Sequence, residues 1–137
     1  MNSGVTVRVD GASRGNPGPA GIGAVVEFDD GRPSIERYSY IGETTNNVAE
    51  YRALLLALDE AFQHAPSGFL TVYSDSELLV RQLNGQYKVK AEHLRPLYLE
   101  AHRRLRAFSS VRVLHVAREE NRKADLLANL AIDQHYK

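Results

Sequence analysis

Four acidic residues stand at positions where an alternating chain of strands and helices gathers its chemistry: Asp10, Glu50, Asp75 and Asp125. Asp10 ends one apolar strand, Asp75 follows another, and Glu50 and Asp125 fall in the opening turns of helices. Strand ends and helix starts meet at one edge of an α/β sheet, where ligands bind. Each acid alone has a structural alternative. Asp10-Gly11 reads as a turn, Glu50 as the reciprocal partner of Asn47 in a capping box, Asp75 as the cap of the next helix, and Asp125 as a charge complementing a helix dipole. Gathered together, they need a different account. Carboxylates within a few ångströms repel strongly in a low-dielectric cleft. Divalent cations relieve that repulsion and take oxygen ligands. Magnesium suits a site with few carboxylates, several waters and a substrate phosphate. Two such ions about 3.5–4 Å apart would clamp the attacking and leaving oxygens of an in-line phosphoryl displacement.

The elements that must position these acids follow from hydrophobic periodicity. Val5, Val7 and Val9 alternate with Thr6 and Arg8, a half-buried strand ending at Asp10-Gly11. Residues 12–19 are a cluster of turn formers. Ile22–Phe28 and Ser34–Ile41 are two further strands joined by the hairpin signal Asp29-Asp30-Gly31-Arg32. Asn47–Gln63 carries an apolar stripe at helical spacing through Tyr51, Leu54, Leu55, Leu58, Ala61 and Phe62. A strand at Phe69–Tyr73, a short helix at Glu77–Leu83, a long helix at Leu94–Phe108, a strand at Val111–Val116 and a closing helix from Asn121 to about Gln134 complete the chain. Pro96 falls in the first turn of its helix, where proline is tolerated. The order βββαβααβα implies the α/β class, a mixed sheet with helices on its faces.

Composition limits the functional classes. The 137 residues suit a single domain over residues 1–137, with no repeat and no linker. The absence of cysteine excludes a disulfide framework, a thiolate zinc site and a cysteine nucleophile. No apolar run is long enough to span a bilayer and no secretory signal opens the chain, so the expected compartment is the cytoplasm, without membrane association. Seventeen basic residues balance seventeen acidic ones, but unevenly: residues 71–137 hold twelve basic and eight acidic side chains, residues 1–70 five and nine. The basic excess, concentrated between Arg81 and Arg112, is either a polyanion-attracting face or a solvated helix surface. Gly15-Asn16-Pro17-Gly18 is no phosphate loop, since no Gly-Lys-Ser/Thr follows it.

Four local segments sharpen the reading: residues 10–23 (DGASRGNPGPAGIG), 44–51 (TTNNVAEY), 73–82 (YSDSELLVRQ) and 118–128 (REENRKADLLA). In this order they resemble the four blocks of type 1 ribonuclease H, and the resemblance runs from Val5 to Ala131. It implies a ribonuclease H-like mixed five-stranded sheet with helices on both faces. It also implies an endoribonuclease that hydrolyses the RNA strand of RNA–DNA hybrids with two Mg²⁺ ions, or Mn²⁺ as a substitute, leaving 5′-phosphate and 3′-hydroxyl ends. Asp10 would bridge both ions, Asp125 would hold the ion on the attacking side, and Glu50 and Asp75 the ion at the leaving oxygen. The resemblance places the backbone of Gly11, Ala12 and Ser13, with Asn16, Asn47 and Glu50, on the 2′-hydroxyl and the shallow groove. Thr45 and Asn46 would seat a phosphate of the DNA strand; turn-making is the structural alternative for Asn16 and Asn46. The expected partner is the hybrid itself, met by a monomer.

The sequence departs from the better-known bacterial pattern. It lacks the tryptophan-rich basic helical insertion, and the connector Gly85–Lys90 runs almost straight into the next helix, with Tyr87, Lys88, Lys90 and Arg95 as partial substitutes. Glu77 stands where an amide is common, either weakening groove contacts or serving as a helix-start acid. Arg118-Glu119-x-Asn121-x-x-Ala124-Asp125 resembles archaeal and plant-type members, in which an arginine takes the auxiliary place. Arg118 is therefore favoured for stabilising phosphate charge, with His115, ten residues before Asp125, as the alternative. A non-catalytic nucleic-acid-binding module on the same fold is the second functional reading, and another two-metal nuclease the third.

Overall fold

The computed structural model describes residues 4–66 and 68–137. Three strands come first: β1 (Gly4–Ser13), β2 (Gly18–Phe28) and β3 (Ile35–Thr44). Helix α1 (Asn46–His64), strand β4 (Phe69–Ser74), helices α2 (Glu77–Leu83) and α3 (Arg95–Leu105), strand β5 (Ser110–His115) and helix α4 (Arg122–His135) follow. The sheet has the order β3-β2-β1-β4-β5, with β1 at its centre. β1 pairs antiparallel with β2 and parallel with β4, and β4 pairs parallel with β5. The mixed sheet and the element order match the expectation from sequence.

The pleat of β1 decides the layers. Val5, Val7 and Val9 point one way and are at most 2% exposed, packed with the buried face of α1: Tyr51, Leu54, Ala57, Leu58 and Ala61. Burying each large aliphatic side chain there stabilises the fold by about 1.5–3 kcal/mol. Gly11 lies on this same face, and a Cβ at Gly11 would come within 2.5 Å of the backbone of Ala49 and Glu50. The opposite face carries Gly21 and Gly23, whose Cβ positions would collide with the carbonyl oxygens of Ala128 and Ala124 on α4. Helices therefore cover both faces, α1 on one and α4 on the other, and backbone rests almost directly on backbone at each contact.

Local differences from the sequence reading have local causes. Thr45, rather than Asn47, caps α1, its hydroxyl accepting from the Val48 N–H at 3.3 Å. Ser76, rather than Asp75, caps α2 by accepting from Leu79 N–H at 3.2 Å. Either change frees an acidic side chain for the cleft. α3 is shorter than Leu94–Phe108 because Glu92–Leu94 forms a 3-10 turn before it and the chain turns away after Leu105. The Tyr51 hydroxyl donates to Gln82 Oε1 at 2.6 Å, tying α1 to α2 inside the core.

Candidate active site

β1 and β4 run parallel with Val9 beside Ser74, so the residues that follow, Asp10 and Asp75, emerge side by side. The glycine at position 11 lets the first turns of α1 press against β1, and Glu50 enters from above. One oxygen from each of Asp10, Glu50 and Asp75 lies within 4.8 Å of the others. Asp10 is 5% exposed and Glu50 is 8% exposed. Asp125, on the first turn of α4, approaches from the opposite face near enough to Asp10 to raise its pKa further. It stands outside the closest trio.

Burial pushes the Asp10 and Glu50 carboxyls above the usual carboxylate range. For Asp10 the charges of Glu50 and Asp75 raise it further. For Glu50 the Gly11 N–H works the other way, donating to Oε1. Asp75 is also raised by burial, against the pull of Asn121, Arg118 and His115. Such a nest of hard oxygens at close range fits a divalent cation, because each added positive charge relieves several repulsions at once.

Beside the acids stand the two auxiliary candidates. Arg118 opens a 3-10 turn after β5, and its guanidinium lies 3.5 Å from Asp125 Oδ1 while remaining largely exposed. His115 is the last residue of β5, exposed, with Nε2 3.3 Å from the Asp75 carbonyl oxygen. Both auxiliary candidates thus border the acids. His115 is at the open end of its strand rather than packed within it.

The chain matches the reverse transcriptase-like family over residues 8–131. It is 42% identical to LC11-RNase H1, a structure solved in complex with an RNA/DNA hybrid, with a TM-score of 0.89 over 97% of this chain and 99% of that one. The chain belongs to the type 1 ribonuclease H family. Its sequence is also 43% identical over 126 residues to ribonuclease HI of Halobacterium salinarum, covering 90% of this chain and 62% of that protein. A bifunctional protein of Mycobacterium tuberculosis is 44% identical over 130 residues, covering 94% of this chain. The chain spans only 35% of the length of that mycobacterial relative.

The remaining expected residues fall beside the acids, on the turn between β1 and β2 and at the start of α1. Asn46 Oδ1 accepts from the Ser13 N–H at 3.0 Å, and Asn16 Oδ1 accepts from the Asn46 N–H at 3.0 Å. The two asparagines therefore latch the Gly15–Gly18 turn to α1. The Gly11 and Ser13 amides, expected at the substrate, are already donated to Glu50 and Asn46. Thr45 is committed as the α1 cap, Ala12 lies on β1 between them, and Asn47 is exposed on the first turn. Among the basic residues from Arg81 to Arg112, several are spent inside the fold: Arg81 on Glu77, and Arg103 and Arg104 on Glu100. Lys88, Lys90, Arg106 and Arg112 stand exposed.

Two asparagines escaped the sequence reading. Asn129 Nδ2 donates to the Asp125 carbonyl at 3.0 Å and to its Oδ1 at 3.2 Å. Asn121 lies buried beneath the acids. The only signal for Asn121 was its place inside the last motif; Asn129 sits four residues after Asp125, one helical turn on, which i,i+4 spacing makes a natural partner.

Proposed function

We propose that this chain is a divalent-metal-dependent endoribonuclease that hydrolyses the RNA strand of RNA–DNA hybrids and leaves 5′-phosphate and 3′-hydroxyl ends. The observation that carries the reading is the convergence of Asp10, Glu50 and Asp75 within 4.8 Å in a chain of this family. Asp10, Glu50, Asp75 and Asp125 would hold two Mg²⁺ ions, with Mn²⁺ able to replace them. Bound there, the cations would neutralise the scissile phosphate and acidify the attacking water.

The chain's own groups do the rest. Arg118 stabilises negative charge on the phosphate as the ester opens, and its exposure leaves it free to swing toward the substrate. A guanidinium stays protonated, so it does not deliver a proton to the leaving 3′ oxygen; solvent does. His115 is the alternative, since an imidazole can pass a proton through its ring nitrogens. The substrate is selected by its 2′-hydroxyl, which both donates and accepts. Glu50 is held for that contact by the Gly11 amide, beside the β1 backbone of Gly11, Ala12 and Ser13. Asn16 and Asn47 flank the same groove, and Thr45 with Asn46 seats a DNA-strand phosphate at the α1 N-terminus. The protein acts as a monomer. No helix among the described residues is long and apolar enough to cross a membrane.

The test is a comparison of substrates. A labelled RNA–DNA hybrid, double-stranded RNA and double-stranded DNA are each incubated with the protein in Mg²⁺, Mn²⁺ or chelator. Cleavage confined to the RNA strand of the hybrid, stopped by chelator, is the expected result. Binding of the hybrid with no cleavage in either metal would make the chain a non-catalytic module.

A further inference from the structure

We propose that Asn121 is a positioning residue of the acidic site: its side chain ties the strand end that carries Asp10 and the carboxylate of Asp75 to the start of α4, the helix that carries Asp125. The inference rests on the nuclease reading above but concerns how the cation site is built. Asn121 is 1% exposed and sits at the start of α4. Its Nδ2 donates at 2.9 Å to the carbonyl of Val9, the residue before Asp10, which lies 112 positions away in the chain. The same Nδ2 reaches Asp75 Oδ2 at 3.4 Å. Its main-chain carbonyl accepts from the Asp125 N–H at 3.1 Å. One residue thus touches the strand end that carries Asp10, the carboxylate of Asp75 and the backbone of Asp125.

The orientation of the amide is forced. Both groups facing Nδ2 are acceptors, so only the NH₂ end can point at them. Oδ1 is left buried with no hydrogen-bond partner among the described residues. A buried acceptor left unpaired weighs against the fold. A residue retained for stability alone has no reason to carry that cost, whereas a residue that must donate to Asp75 and Val9 together has no alternative. Partners behind a ligand shell typically govern metal affinity about 10–100-fold.

The experiment compares Mn²⁺ binding, followed by electron paramagnetic resonance at a temperature where every protein is folded, in wild type, Asn121→Ala and Asn121→Ser. Leu105→Ala is the control: it removes a buried side chain from α3, which carries none of the acids, and loses stability by cavity formation. Both Asn121 variants should bind Mn²⁺ about 10–100-fold more weakly, with hybrid cleavage falling in parallel, while Leu105→Ala binds as wild type. Asn121→Ser is shorter and serves if the alanine variant does not fold. Unchanged Mn²⁺ affinity in a folded Asn121 variant overturns the proposal, as does an equal loss in Leu105→Ala. Wild type that binds Mn²⁺ yet cleaves no hybrid sinks the nuclease reading and leaves this one standing.

Discussion

Replacing Asp10 by asparagine should make the metal-free protein more stable at neutral pH, while abolishing cleavage. The carboxyl is 5% exposed, and its neighbours Glu50 and Asp75 offer oxygens within 4.8 Å. At an effective dielectric of about 20, each full pair repulsion at that range is worth about 3.5 kcal/mol. The protein can avoid it by retaining a proton, which costs about 1.4 kcal/mol for each pH unit above the ordinary carboxylate pKa, a bound of about 5 kcal/mol at pH 7.5. Side chains relax apart when no cation holds them, so about half of that bound, 2–3 kcal/mol, is the expected gain. The carboxamide keeps the shape and donates to Glu50 and Asp125. For a chain of this length the gain corresponds to a rise of about 6–9 °C in Tm. The sign follows from linkage. Burial, then the neighbouring charges, raises the Asp10 pKa in the folded state, so the folded protein binds more protons than the unfolded one above about pH 4. The Asp10 contribution to stability therefore declines as pH rises from about 4 through neutrality, and the variant lacks that decline. Thermal melts in chelator from pH 4.5 to 8.5 should converge at the acid end and separate at the alkaline end. An Asp10→Asn protein that melts below wild type at pH 7.5, or follows the same pH slope, would refute a preformed crowded site.

Arg118→Ala should slow single-turnover hybrid cleavage more than His115→Ala; the reverse ranking would transfer the auxiliary role to the imidazole. Gly11→Ala should lower Tm by several degrees and weaken Mn²⁺ binding together, because its Cβ would stand within 2.5 Å of the backbone that carries Glu50. A variant with intact metal affinity would show that α1 can retreat without moving Glu50. Tyr51→Phe should cost about 1–2 kcal/mol in denaturant unfolding by stranding the buried Gln82 amide, which its hydroxyl reaches at 2.6 Å, and should leave cleavage unchanged.

What the chain made legible was whatever repeats or clusters locally. The alternation of Val5, Val7 and Val9 marks β1 and its buried face, and Glu77–Leu83 is a helix from end to end as read. The three acids that converge sit in motifs whose strand–helix context is visible in sequence. Helix caps were less legible, because Thr45 and Asn47, or Asp75 and Ser76, are equally good candidates one or two residues apart, and packing chooses between them. α3 was read too long since Leu105 and Phe108 continue its apolar spacing although the backbone has already turned. The contact from Asn121 to Val9 bridges 112 residues and leaves no periodic trace. The looser station of Asp125 depends on how closely α4 seats on the sheet, a distance no spacing encodes.

That seating has a mechanical consequence. Ala124 and Ala128 carbonyls lie where side chains on Gly23 and Gly21 would have to be, so even a methyl group on β2 would act as a shim beneath α4. Lifting α4 would draw Asp125 away from Asp10 and strain the Asn121 contacts to Val9 and Asp75. β2, which carries none of the four acids, therefore sets the height at which α4 brings Asp125 and Asn121 to the other three.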